Sequence, residues 1–599
     1  MLGSELLSAA GLYSLTSLAV LLWVCGSVVT VVASISGAFS ELWQRLWRSV
    51  RGAARAEWVL IATIGVFGLV TLATGLATAP NNIDSLSYHL PRIFEWLQAG
   101  RIEAFATPYP AQLYLPPGAE QIMAIMLAAF ATDHAMFLVQ WAAWWSLGCA
   151  TFAASRNLGC SRLSGLTGAI VAMTAPSIIG EAATTQNDLL ATAYVIAALA
   201  LVTHSAGVPA VTDSARGYRP RSSTREPFVS LVLALVMCGA VLAVKPPVGL
   251  FAVPIGVWAA FRVVLLLRDK AFLKVALGLA SALLAVALIN AGWVARNLEQ
   301  YGHATGPDLG LTVQGNLLQS GALNGVKNLG HELAVPSDRV NVVITSILTK
   351  MAETVSGAPI NDPASSFTPF SMASERNEDR AGNIVQALLI AVAAIVVLAV
   401  PRLRRRGWPV VLVLVTGYFV FSALVRYQTW GGRFLLPALA MGAVLVALAL
   451  NGMRHRQGIY IGTIVTICAM QALPWTLAQK WRPLVGSDSV LFRSDFAELT
   501  AALSEADRAR VASTLSTVSE ENPETVSLFG PHSYYHEYIW WRYLSDSGSV
   551  KIRHISDASS INGPDLFLSP WDKLDQVPTG YREVSEDPII LTKDRGATR

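Results

Sequence analysis

The stretch Trp58–Arg92 reads WVLIATIGVFGLVTLATGLATAPNNIDSLSYHLPR. Its first part, 58–77, has no charged side chain, and a helix needs about 20 apolar residues to cross a bilayer. Beyond that run the chain turns polar: Asn81, Asn82, Asp84, Tyr88, His89 and Arg92 stand directly after it. An ionisable group at a membrane boundary is a functional candidate by default. The stretch therefore predicts a transmembrane helix that delivers a carboxylate to one membrane surface.

The whole chain repeats this pattern. Of its 599 residues, 53% are hydrophobic and only 14% charged, with mean hydropathy +0.47. Soluble domains carry about 25% charged residues, so a water-facing globular chain is excluded. The formal net charge of +4 is too near balance for a nucleic-acid binder, which needs a basic face. The five cysteines, Cys25, Cys149, Cys160, Cys238 and Cys468, lie in or beside apolar runs without a Cys-x-x-Cys pair. They read as small buried hydrophobes, not as a disulfide framework or zinc site. The first eleven residues contain no Lys or Arg, unlike the basic start of a signal peptide, so the opening apolar run is expected to remain as a helix.

Apolar runs predict twelve spans, at 12–34, 58–77, 134–154, 163–180, 187–204, 227–244, 247–267, 273–294, 383–400, 408–426, 434–451 and 458–474. A shorter run, 118–131, comes after Pro116-Pro117 and reads as an interfacial or re-entrant helix. Basic residues alternate between loops as the positive-inside rule requires. One side takes Arg45 to Arg55, Arg156 and Arg162, Arg216 to Arg225, Arg268 to Lys274, Arg402 to Arg406, and Arg454 with Arg456. Both termini are then expected outside a multi-pass cell-membrane protein, with the larger segments 78–133, 295–382 and the tail from about 475. The expected organisation is an extra helix and basic loop over 1–57, a transmembrane module over 58–474 and an extracytoplasmic domain over 475–599. That last domain reads as small and α/β: a helical stretch 493–511, then β-type runs at 525–529, 550–554 and 565–568.

The charges that break the pattern gather on the expected outer side. Asp84 precedes Tyr88 and His89 by four and five residues, which on a helix share one neighbourhood; it could equally cap the helix predicted over 85–97. Asp188 ends the loop Glu181-Ala-Ala-Thr-Thr-Gln-Asn-Asp188 and could also be a cap. Lys245 stands before Pro246-Pro247 against the charge trend, as a snorkelling lysine would. Trp293, Arg296 and Asn297 open the segment that runs through Glu375-Arg-Asn-Glu-Asp-Arg-Ala-Gly-Asn383. The last short loop holds Arg426, Trp430 and Arg433 beside Gly431-Gly432, an anion-binding edge or an aromatic belt with snorkelling arginines. Trp96, Tyr109, Tyr114, Trp430, Trp540 and Trp541 are further candidates, for stacking on sugar rings or for interfacial packing.

In this order, an early-loop Asp, an Asp opening a helix two spans later, a Lys after the next hairpin, a W-x-x-R-N stretch and a late R-F-x-x-P, the chain resembles the GT-C integral-membrane glycosyltransferases. The likeness is strongest to the family 39 group, with its protein O-mannosyltransferases, lipid A aminoarabinose transferases and RgtA/B/C/D-like bacterial enzymes. It covers about residues 55–475. The resemblance implies an all-α polytopic fold and transfer of a sugar from a polyprenyl-phosphate donor to an extracytoplasmic glycan, lipid or protein. It assigns Asp84 and Asp188 as the catalytic carboxylates, Asp84 as general base. It places Trp293, Arg296 and Asn297 in the W-x-x-R-N stretch, and Arg433 with Pro437 in the late motif.

The chemistry asks for the same residue types. An attacking hydroxyl must lose a proton to a base, and a leaving lipid phosphate is met by cations, here Lys245, Arg296 and Arg433 with Arg426 in reserve. Tyr88, His89 and Asn297 would support the base or the acceptor. Many relatives double the first-loop acid, whereas Asp84 is succeeded by Ser85. A lone carboxylate offers few hard ligands to Mg2+ or Mn2+, so a divalent cation at Asp84 and Asp188 is one alternative and a metal-free site the other. A polytopic transporter or lipid flippase, or a non-catalytic glycan-binding membrane protein, are the rival classes. Transporters favour paired halves with mid-membrane charges, and neither is evident here.

Overall fold

A computed structural model describes residues 1–205, 225–267, 272–453, 456–544, 550–555, 566–572, 577, 581–586 and 588–593. The polar loop expected over 205–226 lies almost wholly outside them. The protein is a bundle of helices with a small sheet near its C-terminal end. Seven helices among the described residues are long and apolar enough to cross a membrane: Leu15–Ile35, Arg55–Ala77, Asp188–Ser205, Val275–Tyr301, Pro401–Leu424, Gly431–Gly452 and Gln457–Leu477. Together with shorter apolar helices they make it a multi-pass membrane protein.

The other expected spans also fall on helices, and two are broken. The run 163–180 splits into Arg162–Met173 and Pro176–Glu181, because Pro176 has no N–H to continue the ladder and is suited to a first helical turn. The run 247–267 splits into Pro246–Gly249 and Ala252–Leu267. Helix Gly118–Phe130 is too short to span. Gly431–Gly452 is the central helix, with 89% of its apolar window buried, against 6% for Leu15–Ile35 at the periphery. Peripheral side chains such as Val28, Val29, Leu283 and Leu284 are exposed, as lipid-facing positions must be.

Segment 295–382 contains two helices that the hydropathy pattern does not single out, Leu317–Leu333 and Asp338–Ser356. Asn316 caps the first by accepting from the N–H groups of Leu318 and Gln319. That helix lies against Pro401–Leu424. Gly321 allows the approach, since a Cβ there would meet the Phe419 ring, and Asn324 and Asn328 donate to Ser422.

Near the C-terminus the expected helix 493–511 is two helices, Asp495–Leu499 and Glu505–Glu521. Ser504 starts the second by accepting from Asp507 N at 3.1 Å. The sheet has five strands, β1 Thr525–Phe529, β2 Lys551–Ile555, β3 Leu566–Ser569, β4 Tyr581–Glu586 and β5 Ile589–Lys593, in the order β2-β1-β3-β5-β4. β1 runs parallel to β2 and β3, while β5 pairs antiparallel with β3 and β4. The last two strands lie beyond the runs read from sequence. The sheet region is fastened to the bundle: Gln98 exchanges two hydrogen bonds with the Ile552 backbone, and Tyr538 Oη donates to Asp133.

Candidate active site

Asp84 lies past the end of the Arg55–Ala77 helix, at a wide turn. Asn82 Oδ1 accepts from Ser85 N at 2.7 Å, opening one π-helical turn, Ser85–His89, that runs into helix Leu90–Ala99. Such turns add one residue per hydrogen-bonded ring and recur at functional sites. Asn82 takes the capping role, and the Asp84 side chain makes no cap hydrogen bond. Its carboxylate is instead met by Arg433 Nη1 at 2.5 Å and by Tyr88 Oη at 3.1 Å, both on Oδ2.

Arg433 is supplied by the short helical turn Gly431–Leu435 that begins the central helix. The same Nη1 reaches Asp379 Oδ1 at 3.2 Å. Asp188, at the start of its helix, turns its side chain to Lys245 Nζ at 2.6 Å. The two ion pairs are neighbours, because Phe434 lies beneath both cations, 5.0 Å from Lys245 Nζ and 5.5 Å from the Arg433 guanidinium carbon. Three carboxylates, Asp84, Asp188 and Asp379, thus share two cations, Arg433 and Lys245.

That imbalance separates the acids. Burial works to raise the Asp84 carboxyl, but Arg433, His89 and Lys245 outweigh it and hold Asp84 below the usual carboxylate range. Burial dominates at Asp379, where Arg433 opposes it and Glu378 and Asp84 add to it, and the carboxyl is raised. One acid is fixed as an anion and its neighbour sits nearer to neutrality. Beside them is a cavity of about 430 Å³, within the size range of small-ligand sites. Asn81, Ile83, Asp379, Thr429, Trp430 and Trp481 line part of it.

Several expected residues belong elsewhere. His89 acts on Asp84 only through its charge, and its direct partner is Glu120, against which it is fully buried and which also pairs with Arg92. Arg92 in turn donates to the carbonyls of Leu115 and Pro116, so this group fixes the loop between two helices. The W-x-x-R-N stretch is also an anchor. Trp293 and Asn297 donate to Tyr114 O, and Arg296 forms a two-pronged pair with Glu5 at 2.8 and 2.9 Å. Arg426 spends its guanidinium on the carbonyls of Gly310, Pro363 and Ser366. These two arginines are therefore already partnered and are not brought to the Asp84 cluster. Trp96, Trp540 and Trp541 are core residues, whereas Trp430 is 37% exposed at the cavity.

Asp379 and Phe434 are the members that sequence reasoning passed over. Asp379 stands in the charged stretch 375–383, but nothing in one-dimensional order marks it above Glu375 or Glu378. At Asp84 and Asp188 the donor set is a pair of adjacent salt bridges. Neither carboxylate belongs to a group of three or more ligand atoms that converge on one point among the described residues.

No family model and no curated protein matches the chain. Two solved structures are similar to it, both of ArnT from Cupriavidus metallidurans. The one bound to undecaprenyl phosphate has 13% identity and a TM-score of 0.43, covering 82% of this chain and 76% of that one. The apo form has the same identity and coverage with a TM-score of 0.41.

Proposed function

We propose that this chain is a GT-C-type membrane glycosyltransferase that moves a sugar from a polyprenyl-phosphate donor to an acceptor hydroxyl at the extracytoplasmic surface. The observation that carries the reading is Arg433 held between Asp84 and Asp379 at the edge of a cavity lined by charged, amide and tryptophan side chains. The ordered sequence motifs point the same way. Asp188 and Lys245 complete the charge set.

In the reaction, the acceptor oxygen bonds to the anomeric carbon as the bond from that carbon to the phosphate oxygen breaks. The hydroxyl proton passes to Asp84, and the electron pair of the broken bond stays on the phosphate. Asp84 suits the base role because Arg433 keeps it ionised, and Tyr88 fixes the orientation of its carboxylate. The charge gained by the phosphate is met by Arg433 and Lys245, whose positions are set before reaction by Asp84, Asp379 and Asp188. A single displacement of this kind inverts the anomeric centre. The apolar helix faces would carry the prenyl chain, and Trp430 and Trp481 offer stacking surfaces for sugar rings.

The test is transfer of a labelled sugar from a polyprenyl-phosphate sugar by the purified chain in detergent. Asp84→Asn keeps the shape of the side chain and removes the base. Its rate should fall by about 10²–10⁴-fold, the usual contribution of a positioned general base, with unchanged membrane insertion. A variant as active as the parent overturns the assignment.

A further inference from the structure

Apart from the Asp84 cluster, three chemistry-bearing side chains from distant parts of the chain converge where helix Leu90–Ala99 meets the C-terminal sheet. They are Glu95 on that helix, Glu537 just before helix Tyr538–Leu544, and His554 on β2. One ligand atom from each lies within 4.8 Å of the other two, and all three residues are buried.

Their surroundings point to a ligand. Glu537 is oriented by two N–H donors, Trp541 Nε1 on Oε1 at 2.9 Å and Gln112 Nε2 on Oε2 at 2.6 Å. His554 faces Ser533 Oγ through Nδ1 at 3.4 Å. Its Nε2 lies 3.0 Å from Glu537 Oε1, yet is out of line for a hydrogen bond. If Nδ1 carries the proton toward Ser533, a lone pair on Nε2 faces a carboxylate oxygen. Glu95, more than nine-tenths buried, makes no hydrogen bond or ion pair among the described residues. Two carboxylates and an imidazole lone pair turned on one water-poor point repel each other, and a cation between them satisfies all three.

We infer that Glu95, Glu537 and His554 form a binding site for a divalent transition-metal cation, Zn2+ by ligand type, which fastens the C-terminal sheet to helix Leu90–Ala99. One nitrogen and two carboxylate oxygens suit Zn2+, while Mg2+ and Ca2+ favour all-oxygen sets. The outer partners fit as well: a ligating histidine usually donates its other N–H, here to Ser533, and ligating carboxylates are themselves hydrogen-bonded, here by Trp541 and Gln112. The metal would sit beside the Gln98–Ile552 clamp and so join two regions already in contact.

The experiment uses untagged full-length protein in detergent, stripped with a chelator, loaded with ZnCl2 and dialysed. Elemental analysis should give one zinc per chain, and the melting temperature should rise on loading. Glu95→Gln and His554→Gln should lose both the bound zinc and the rise. Glu95→Gln separates metal binding from a folding defect: it keeps the size of the side chain and removes a buried charge, so it should melt at or above the metal-free parent. The inference is overturned if the loaded parent holds no zinc, or if both variants bind zinc as the parent does. Either outcome is independent of the transferase assay.

Discussion

Glu378 and Asp379 are adjacent in the chain and live in opposite surroundings. Glu378 is 1% exposed, and its Oε2 takes Arg482 Nη2 and Gln479 Nε2, each at 2.5 Å. Arg482 uses its other arm on Asn81 Oδ1 at 2.7 Å, and Gln479 Oε1 accepts from the N–H groups of Trp481 and Arg482. Asp379 has a side chain 35% exposed, and its partners are a share of Arg433 and a long hydrogen bond from Gln186 Nε2 at 3.4 Å. The first carboxylate is closed off from solvent in an ion-pair network that holds the loop three residues before Asp84, with its bonds all on Oε2 and Oε1 left without a partner. The second faces a cavity with acceptor capacity to spare. Buried polar networks give rigidity when satisfied; spare capacity in a shared ion pair is what a ligand can use.

Breaking the closed side should have the largest effect on the fold. Arg482→Ala leaves Glu378 buried without its cation, and removal of one partner from such a pair costs about 3–5 kcal/mol. Thermal unfolding in detergent should show a large drop in melting temperature, with the Asp84 loop loosened because Asn81 loses its donor. A variant that melts with the parent would mean that the network is not what holds the loop.

On the open side, Arg433→Lys keeps the charge but gives up the planar guanidinium that reaches Asp84 and Asp379 together. Transfer should fall by about tenfold or more, with little change in melting temperature. Equal activity would show that only a point charge is required. Asp379→Asn tests the sharing itself. Asp379 is pushed up to about 6, so it is an anion above that pH and neutral below it. The anion competes with the donor phosphate for Arg433, so the parent should bind donor more weakly as pH rises through this range. The variant should hold the low-pH affinity throughout. A donor KM with the same pH dependence in both proteins would remove Asp379 from the site.

The same contrast explains what the sequence could carry. Hydropathy located every long apolar helix, because an apolar run of membrane length has few other fates, and the breaks at Pro176 and Pro246 come from missing N–H groups. Asp84, Asp188, Lys245 and Arg433 were legible because few charges occur beside the spans, and the structure gathers all four. Arg296 and Arg426 looked the same in one dimension, but their partners, Glu5 and three backbone carbonyls, come from remote segments. His89 takes a different direct partner for a local reason: the π-helical turn leaves Tyr88 on Asp84 and buries His89 against Glu120. Helices 317–333 and 338–356 carry polar faces and show no span-like run, and the Glu95, Glu537 and His554 cluster depends on contacts across more than four hundred residues of chain.

Glu498 lies between the two extremes and gives the smallest effect. It is as buried as Glu378 and likewise has an Oε1 without a partner, but its Oε2 accepts a single hydrogen bond, from Ala79 N at 3.0 Å. Burial raises its carboxyl from 4.5 to about 7, against the pull of Ala79 N–H, Arg493 and Arg482. A group with a raised pKa binds its proton more tightly when folded. Its contribution is therefore fully present below the unfolded value and is lost as pH rises through about 7. Glu498→Gln imitates the protonated acid at every pH. Parent and variant should melt together near pH 4.5, and the variant should become progressively the more stable of the two between there and pH 8. A difference that does not change with pH would mean that Glu498 is solvated well enough to ionise freely. The contact between Asp495–Leu499 and the end of the Arg55–Ala77 helix would then belong with the open side of the comparison.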